Sequence, residues 1–254
     1  MWPSYIINLE DNVTRLRNSS RQMDAQGIDW TRVDGVNGWA MTEEEVAAVY
    51  APDENIRRAK HPLVRPEIGC YLSHVRAWQM IAADTAHPGG FIFEDDFAAA
   101  PELRRALELL SRPDPDWDVV KLFSFDRSPR MVTDAELGDG MRIGTPYRIP
   151  TCLIGYGITR ETAARLSQTA IPFFRPVDED MKFFWEKNLK ITLVTPPPVR
   201  VGPQEAETGT ISATRRTEAK RRRATDLSRV LRNMKYQFSY EMRLRFHRLR
   251  GDGT

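Results

Sequence analysis

The run GGFIFEDDF, residues 89–97, decides how this chain is read. Two glycines open it, and Phe91, Ile92 and Phe93 follow as an apolar run. Glu94, Asp95 and Asp96 then close it with three consecutive carboxylates and no basic residue beside them. A short apolar run bounded by turn residues predicts a strand buried on both faces. In an open parallel sheet, ligands sit beyond the carboxyl ends of the strands, so the acids stand where a ligand would lie. Three neighbouring carboxylates repel one another until a proton or a cation relieves them. A hard divalent ion such as Mg²⁺ or Mn²⁺ takes one or two carboxylates together with phosphate oxygens. In an extended chain Glu94 and Asp96 share one side and Asp95 faces the other, which makes Glu94 and Asp96 the metal pair. The competing reading is a solvated turn in which Asp95 or Asp96 caps the way into the next helix.

The rest of the chain is consistent with such a strand. SYIINL (4–9) predicts a first buried strand, a polar helix runs from about Asn12 to Gln26, and Gly27 stops it. DWTRVDG (29–35) predicts a second strand ending in an Asp-Gly turn. Thr42 and Glu45 have capping-box spacing. From Pro66 to Asp84, Ile68, Tyr71, Leu72, Val75, Trp78 and Ile81 recur at helical spacing. A helix from Pro101 to about Leu110, the strand DVVKLFSF, loops with a small hairpin over 126–150, the strand TCLIGYGI and a helix capped by Thr159 follow. DEDMKFFWEK predicts a helix and LKITLV a last strand. This alternation predicts an α/β sandwich with a mostly parallel sheet. No GxGxxG follows the first strand and no GxxxxGK[ST] occurs, so a nucleotide would be held without a glycine-rich phosphate loop.

Asp178, Glu179 and Asp180 form a second acidic cluster. One reading makes Asp178 an N-cap with acids in the first turn of a helix. The other pairs a metal-bridged diphosphate at the first cluster with a separate general base at the second. Lys121 lies within the apolar run VVKLF, where a buried ammonium needs a partner, and the Glu94–Asp96 cluster offers one.

With 254 residues, 41% of them hydrophobic and 28% charged, the chain has the composition of a soluble globular protein with one substantial core. Two cysteines, Cys70 and Cys152, make no disulfide framework, and four scattered histidines with no Cys/His cluster speak against a zinc site. No apolar run approaches the ~20 residues that span a bilayer, and the N-terminus lacks a signal-peptide pattern, so the cytoplasm is the expected compartment. The net charge of +2 hides an asymmetry: residues 215–250 hold thirteen Lys/Arg against three Asp/Glu, a local +10 that leaves −8 for the remainder.

The ordered set YIINLEDNVTRLRNS, RVDGVNG, RPEIGCYLSHVRAWQMI, FIFEDDF, WDVVKLF, CLIGYGITRETAARL and PVDEDM resembles glycosyltransferase family 25, over roughly residues 4–212. The specific pieces are EIGCYLSH and the strand-EDD block. The resemblance implies a GT-A-like nucleotide-sugar-binding α/β/α sandwich and inverting transfer of a sugar, galactose from UDP-galactose being favoured. It implies a metal, Mn²⁺ or Mg²⁺, at Glu94 and Asp96, and a base at Asp178, with Asp180 second. Asn8 and Arg15 match the family's INL…R segment and are expected at the donor base and phosphate; Asp11 stands where relatives often carry Arg. Asp34 is expected at uridine or ribose, or as a turn residue. Arg65, Glu67, Asp95 and Lys121 complete the expected donor-binding set, Glu67 also being read as a helix cap and His74 as a core or supporting histidine.

Residues 1–212 are thus expected to form the catalytic domain and 213–254 a basic helical tail. In that tail Leu227, Leu231, Met234, Phe238, Met242, Phe246 and Leu249 make one apolar stripe on a basic helix. The stripe predicts either an interfacial helix on an anionic membrane, with the protein peripheral on the inner face, or packing against the core or a second subunit. The acidic body disfavours nucleic acid. The expected acceptor is a hydroxyl of a lipopolysaccharide, lipooligosaccharide or other lipid-linked surface glycan. A catalytically silent binding module and a metal-dependent nucleotidyltransferase or phosphohydrolase are the rival readings.

Overall fold

A computed structural model describes residues 1–202 and 226–250, with side chains described at 231–249 of the last segment. The expected boundary at 212, the basic run 215–223 and the side chain of Leu227 lie outside the described residues.

Eight strands form one sheet in the order β2-β1-β3-β8-β5-β9-β7-β6. They are β1 (Ser4–Asn8), β2 (Trp30–Asp34), β3 (Gly89–Glu94), β5 (Val119–Lys121), β6 (Ala135–Gly138), β7 (Met141–Gly144), β8 (Gly155–Thr159) and β9 (Ile191–Thr195). β2, β1 and β3 pair in parallel, as do β5 and β9, while β8 is inserted antiparallel between β3 and β5. The expected small hairpin is β6–β7, and β7 extends the sheet by pairing antiparallel to β9. A separate ribbon joins β4 (Phe97–Ala99) to β10 (Val199–Val201).

Successive side chains of a strand face opposite ways, and the core divides accordingly. Tyr5, Ile92, Val119, Tyr156 and Ile158 pack beneath α4 (Arg65–Ala83) and α6 (Arg160–Thr169). Ile6, Phe91, Phe93, Val120 and Val194 pack against α1 (Val13–Ala25) and α5 (Leu103–Leu110). The molecule is therefore an α/β/α sandwich. The apolar positions expected on α4 are buried, Leu72 only in part. α1 ends at Gly27, whose φ of 62° costs glycine no steric penalty. α2 (Glu43–Val49) carries the expected Thr42/Glu45 capping box.

A short α3 (Pro52–Arg58) has Pro at its start, acids in its first turn and arginines in its last, with only Asn55 buried. Its charges suit the helix dipole, but it has no apolar periodicity, so the sequence pattern passes over it. α7 (Val177–Lys182) and a 3-10 turn (Phe184–Glu186) follow Pro176. The last helix, α8 (Asp226–Arg250), lies on the α4/α6 side, where Tyr236, Tyr240 and Leu244 enter the core. Among the described residues no helix is long and apolar enough to cross a membrane.

Candidate functional site

The parallel strands end together. Asn8 closes β1 opposite Asp34 of β2, Ile7 lies opposite Glu94 of β3, and Lys121 closes β5. Because β8 runs the other way, the segment that leads into it, residues 151–154, enters the sheet at this same edge, and Glu94 N–H donates to the Ile154 carbonyl at 3.1 Å. One edge thus gathers residues separated by more than a hundred positions in the chain.

The acidic triplet divides between two neighbours. β3 ends at Glu94, and residues 95 and 96 form a turn, so the alternation of an extended chain does not set their directions. Asp95 is buried and accepts from Asn8 Nδ2 at 2.6 Å and from Arg15 at 2.7 Å. Ser19 on α1 donates to the Asp95 carbonyl at 2.6 Å. Asp96 Oδ2 meets the same Arg15 at 2.8 Å, while its Oδ1 is buried with no hydrogen-bond partner among the described residues. Burial, and then the negative charge of Glu94, push the Asp96 carboxyl up to about 7 against the opposing pull of Arg15. Burial likewise raises Asp95. A single guanidinium bridges two of the three acids, and the local charge stays negative.

Glu94 Oε1 lies 3.4 Å from His74 Nε2, and His74 Nδ1 lies 2.9 Å from the Tyr156 hydroxyl. Trp78 Nε1 donates to that hydroxyl at 2.8 Å, so the hydroxyl proton is available to Nδ1 and the imidazole proton to Glu94. Cys70, one helical turn before His74, completes a group whose ligand atoms lie within 4.8 Å of one another: Cys70, His74 and Glu94. This corrects the expectation that cysteines and histidines form no cluster; the i, i+4 spacing on α4 was the available signal, and the third member comes from another element. Burial, then the surrounding carboxylates, push the Cys70 thiol well up, which favours its neutral form. The donors that suit a hard cation are the carboxylates of Glu94 and Asp96, and the unpartnered Asp96 Oδ1 fits such an ion.

The second acidic cluster splits as well. Residues two apart on a helix point roughly 200° apart, and Asp178 and Asp180 do so on α7. Asp178 turns to the sheet edge, where its Oδ2 accepts the Cys152 N–H at 2.9 Å and its Oδ1 accepts the Glu179 N–H at 2.8 Å. Cys152 adopts φ 69°, a left-handed conformation that costs a non-glycine residue about 1–2 kcal/mol. Its carbonyl accepts from the fully buried Lys121 Nζ. Lys121 therefore has a carbonyl, not a carboxylate, as its hydrogen-bond partner; burial lowers it, while nearby Asp178 and Glu94 act in the opposite sense. Asp180 faces inward and is consumed by Tyr71 Oη at 2.7 Å, Arg175 at 3.1 Å and Lys187 at 3.2 Å.

The sequence profile of glycosyltransferase family 25 (LPS biosynthesis protein) matches residues 1–136, more than half of the chain. The chain belongs to glycosyltransferase family 25. Procollagen galactosyltransferase 1-A of Xenopus laevis is 28% identical over 197 residues, and a glycosyltransferase 25 family member of Anopheles gambiae 26% over 191; each match covers 72% of this chain. The chain spans only 31% and 32% of the lengths of those two relatives. Among solved structures, the Drosophila beta-1,4-galactosyltransferase 7 in complex with manganese, UDP-Gal and xylobiose aligns over 82% of this chain and 73% of its own, with 12% identity and a TM-score of 0.41. At that distance the likeness carries no argument about this chain.

Within the family 25 match lie Asn8, Arg15, Asp34, Arg65, Glu67, Glu94, Asp95, Asp96 and Lys121. Asn8, Arg15 and the triplet form one hydrogen-bonded group at the sheet edge, and Asp34 stands exposed beside it, paired to Arg32 at 2.9 Å. Arg65 and Glu67 sit at the start of α4. Arg65 reaches Glu43 and the Met41 carbonyl, and buried Glu67 accepts the Val64 N–H at 2.8 Å, the helix-capping contact expected of it. This corner is drawn in by Gly38 and Gly69, whose backbones touch: a Cβ on Gly69 would lie 2.3 Å from the Val36 carbonyl oxygen and 2.6 Å from Gly38 N. Cys152, Ser19 and the Trp78–Tyr156 relay were not anticipated, since nothing local in the sequence marks them.

Proposed function

We propose that this family 25 chain is an inverting, metal-dependent hexosyltransferase that moves galactose from UDP-galactose to a hydroxyl of a glycan acceptor of the lipopolysaccharide class. The names of the procollagen galactosyltransferase relatives support the sugar, and the family description supports the acceptor class. The observation that carries the reading is the pairing, at one sheet edge, of an under-neutralised Glu94/Asp96 pair with the separately held carboxylate of Asp178.

Glu94 and Asp96 are the residues that would hold Mn²⁺ or Mg²⁺, which when bound offsets the donor's diphosphate charge and that of departing UDP. Arg15 and Asn8 hold Asp95 inward and so fix the turn that carries Asp96. His74, steadied by Tyr156 and Trp78, orients Glu94. Asp178 takes the proton of the acceptor hydroxyl as its oxygen bonds to the anomeric carbon and the bond from that carbon to phosphate breaks. Lys121 and the Asp178 contact hold Cys152 from both ends, and Cys152 in turn fixes the direction of the base.

The test is UDP release from a panel of UDP-hexoses with Mn²⁺, with and without glycan acceptors, for the native chain and Asp96→Asn. The reading expects acceptor-stimulated UDP formation, strongest with UDP-galactose, abolished by the substitution. Undiminished metal-dependent transfer by Asp96→Asn overturns the metal assignment. Heat from UDP and Mn²⁺ in calorimetry, with no turnover on any acceptor, favours a silent binding module instead. Release of UMP or of free phosphate as the first product marks a nucleotidyltransferase or phosphohydrolase.

A further inference from the structure

We propose that α8 is a two-faced helix that seats the protein on an anionic membrane surface through its outward apolar stripe. One face is committed to the body. Tyr236, Tyr240 and Leu244 are buried, Tyr236 Oη donates to Glu179 at 3.1 Å, and Lys182 stands 4.0 Å over the Tyr240 ring. Arg232 donates to the Ala59 and Asn55 carbonyls at 3.0 and 2.9 Å, and Arg248 to the Pro146 and Tyr147 carbonyls at 2.6 and 3.1 Å. These contacts lie at both ends of the helix and fix its rotation.

The opposite face is the stripe singled out from the sequence, and it points to solvent. Leu231 is 58% exposed, Met234 61%, Phe238 70%, Met242 53% and Leu249 87%. At about 100° per residue these positions centre roughly 180° from Tyr240. A run of large apolar side chains along one rigid helix is a contiguous patch, not scattered surface apolarity. Its partner is indicated by charge. Besides Arg232, Arg243 and Arg248, which bond to the body, the helix carries four further Lys or Arg against two Asp or Glu, and exposed Lys235 and Arg245 border the stripe. The helix carries +5 while residues 1–202 carry −5, so a negative surface attracts the helix and repels the body. An apolar stripe flanked by cations on a helix too polar to cross a bilayer suits the interface of anionic lipid.

The placement has a consequence that does rest on the transferase reading. A cavity of about 1110 Å³ is lined by Glu241, Arg245, Arg248 and Leu249 of α8 and, on its other wall, by Pro150 and Thr151. Thr151 precedes Cys152, which holds Asp178. A membrane-seated α8 would deliver the headgroup glycan of a lipid-linked acceptor along this cavity toward the base.

The docking is tested without donor or acceptor, so its failure is separable from failure of the transferase reading. The full chain is co-sedimented with vesicles of phosphatidylcholine alone and of phosphatidylcholine with phosphatidylglycerol. Binding is expected to the anionic vesicles, to weaken with salt, and to fall by about tenfold or more when Met234, Phe238 and Met242 are each replaced by Gln, with Phe238→Gln alone giving a smaller loss. These side chains are exposed, and an unchanged melting temperature verifies the fold. Three results overturn the proposal: no binding of the native chain to anionic vesicles, equal binding of the native chain and the triple variant, or a dimer in solution that the triple variant dissociates while vesicle binding is absent.

Discussion

Replacing Asp180 by Asn is expected to damage stability, and replacing Asp178 by Asn to damage transfer, although the two acids stand two residues apart. Asp180 is buried and accepts from the Tyr71 hydroxyl at 2.7 Å while facing Arg175 at 3.1 Å and Lys187 at 3.2 Å. The amide removes the charge and points an N–H₂ toward groups that are themselves donors. Breaking a buried ion pair by removing one partner costs about 3–5 kcal/mol. Arg175 keeps Glu186 as a second partner, so the lower end, ~3 kcal/mol, applies. At about 2–4 °C per kcal/mol for a chain of this size, the melting temperature should fall by roughly 6–12 °C. Asp178 holds only two backbone N–H groups, at 2.9 and 2.8 Å, and the Asn oxygen can keep one. Its loss should cost ~1 kcal/mol of stability, while losing a general base should lower transfer about 10²–10⁴-fold. Calorimetric melting and UDP release, measured on both variants, give the comparison. A stable but inactive Asp180→Asn, or a fully active Asp178→Asn, would refute the assignment of roles.

Because burial and the charge of Glu94 raise Asp96 to about 7 from the ordinary carboxylate range, its proton is held more tightly folded than unfolded. Its contribution to stability is therefore full in acid, below about pH 4, and is lost as pH rises through about 7. The proposed metal site requires a divalent cation to replace that proton, so the rise in melting temperature on adding Mn²⁺ should be larger at pH 8 than at pH 6 and should lose this pH dependence in Asp96→Asn. Gly69→Ala places a methyl 2.3 Å from the Val36 carbonyl oxygen. The backbone must yield, at about 1–3 kcal/mol, and a native-like melting curve would mean the corner is looser than described. Leu244→Ala removes a fully buried side chain from α8. It should cost ~2–5 kcal/mol if α8 folds cooperatively with the body, and a melt unchanged by the substitution would show that it does not.

Local pattern was enough to read most of the elements. The Thr42/Glu45 capping box, the stop at Gly27, the helical spacing of α4 and the apolar run of β3 are each set by residues within a few positions of one another. The site was legible only as an address: acids at the end of a buried strand. That Arg15 would bridge Asp95 and Asp96, that Cys152 would hold Asp178, and that Asp180 would be spent on Tyr71 all depend on contacts between segments distant in the chain. The reversed direction of β8 is of the same kind, since hydrophobic runs do not state which way a strand points, yet it brings residues 151–154 to the site edge. On α8 the spacing singled out the stripe through Leu231, Met234, Phe238 and Met242, whereas the face that packs is Tyr236–Tyr240–Leu244, which repeats every four residues as well. Both have helical spacing, so periodicity cannot rank them. Packing decides, because the tyrosine face meets a complementary surface in Glu179, Lys182 and Phe183 while the other face finds none in the described body.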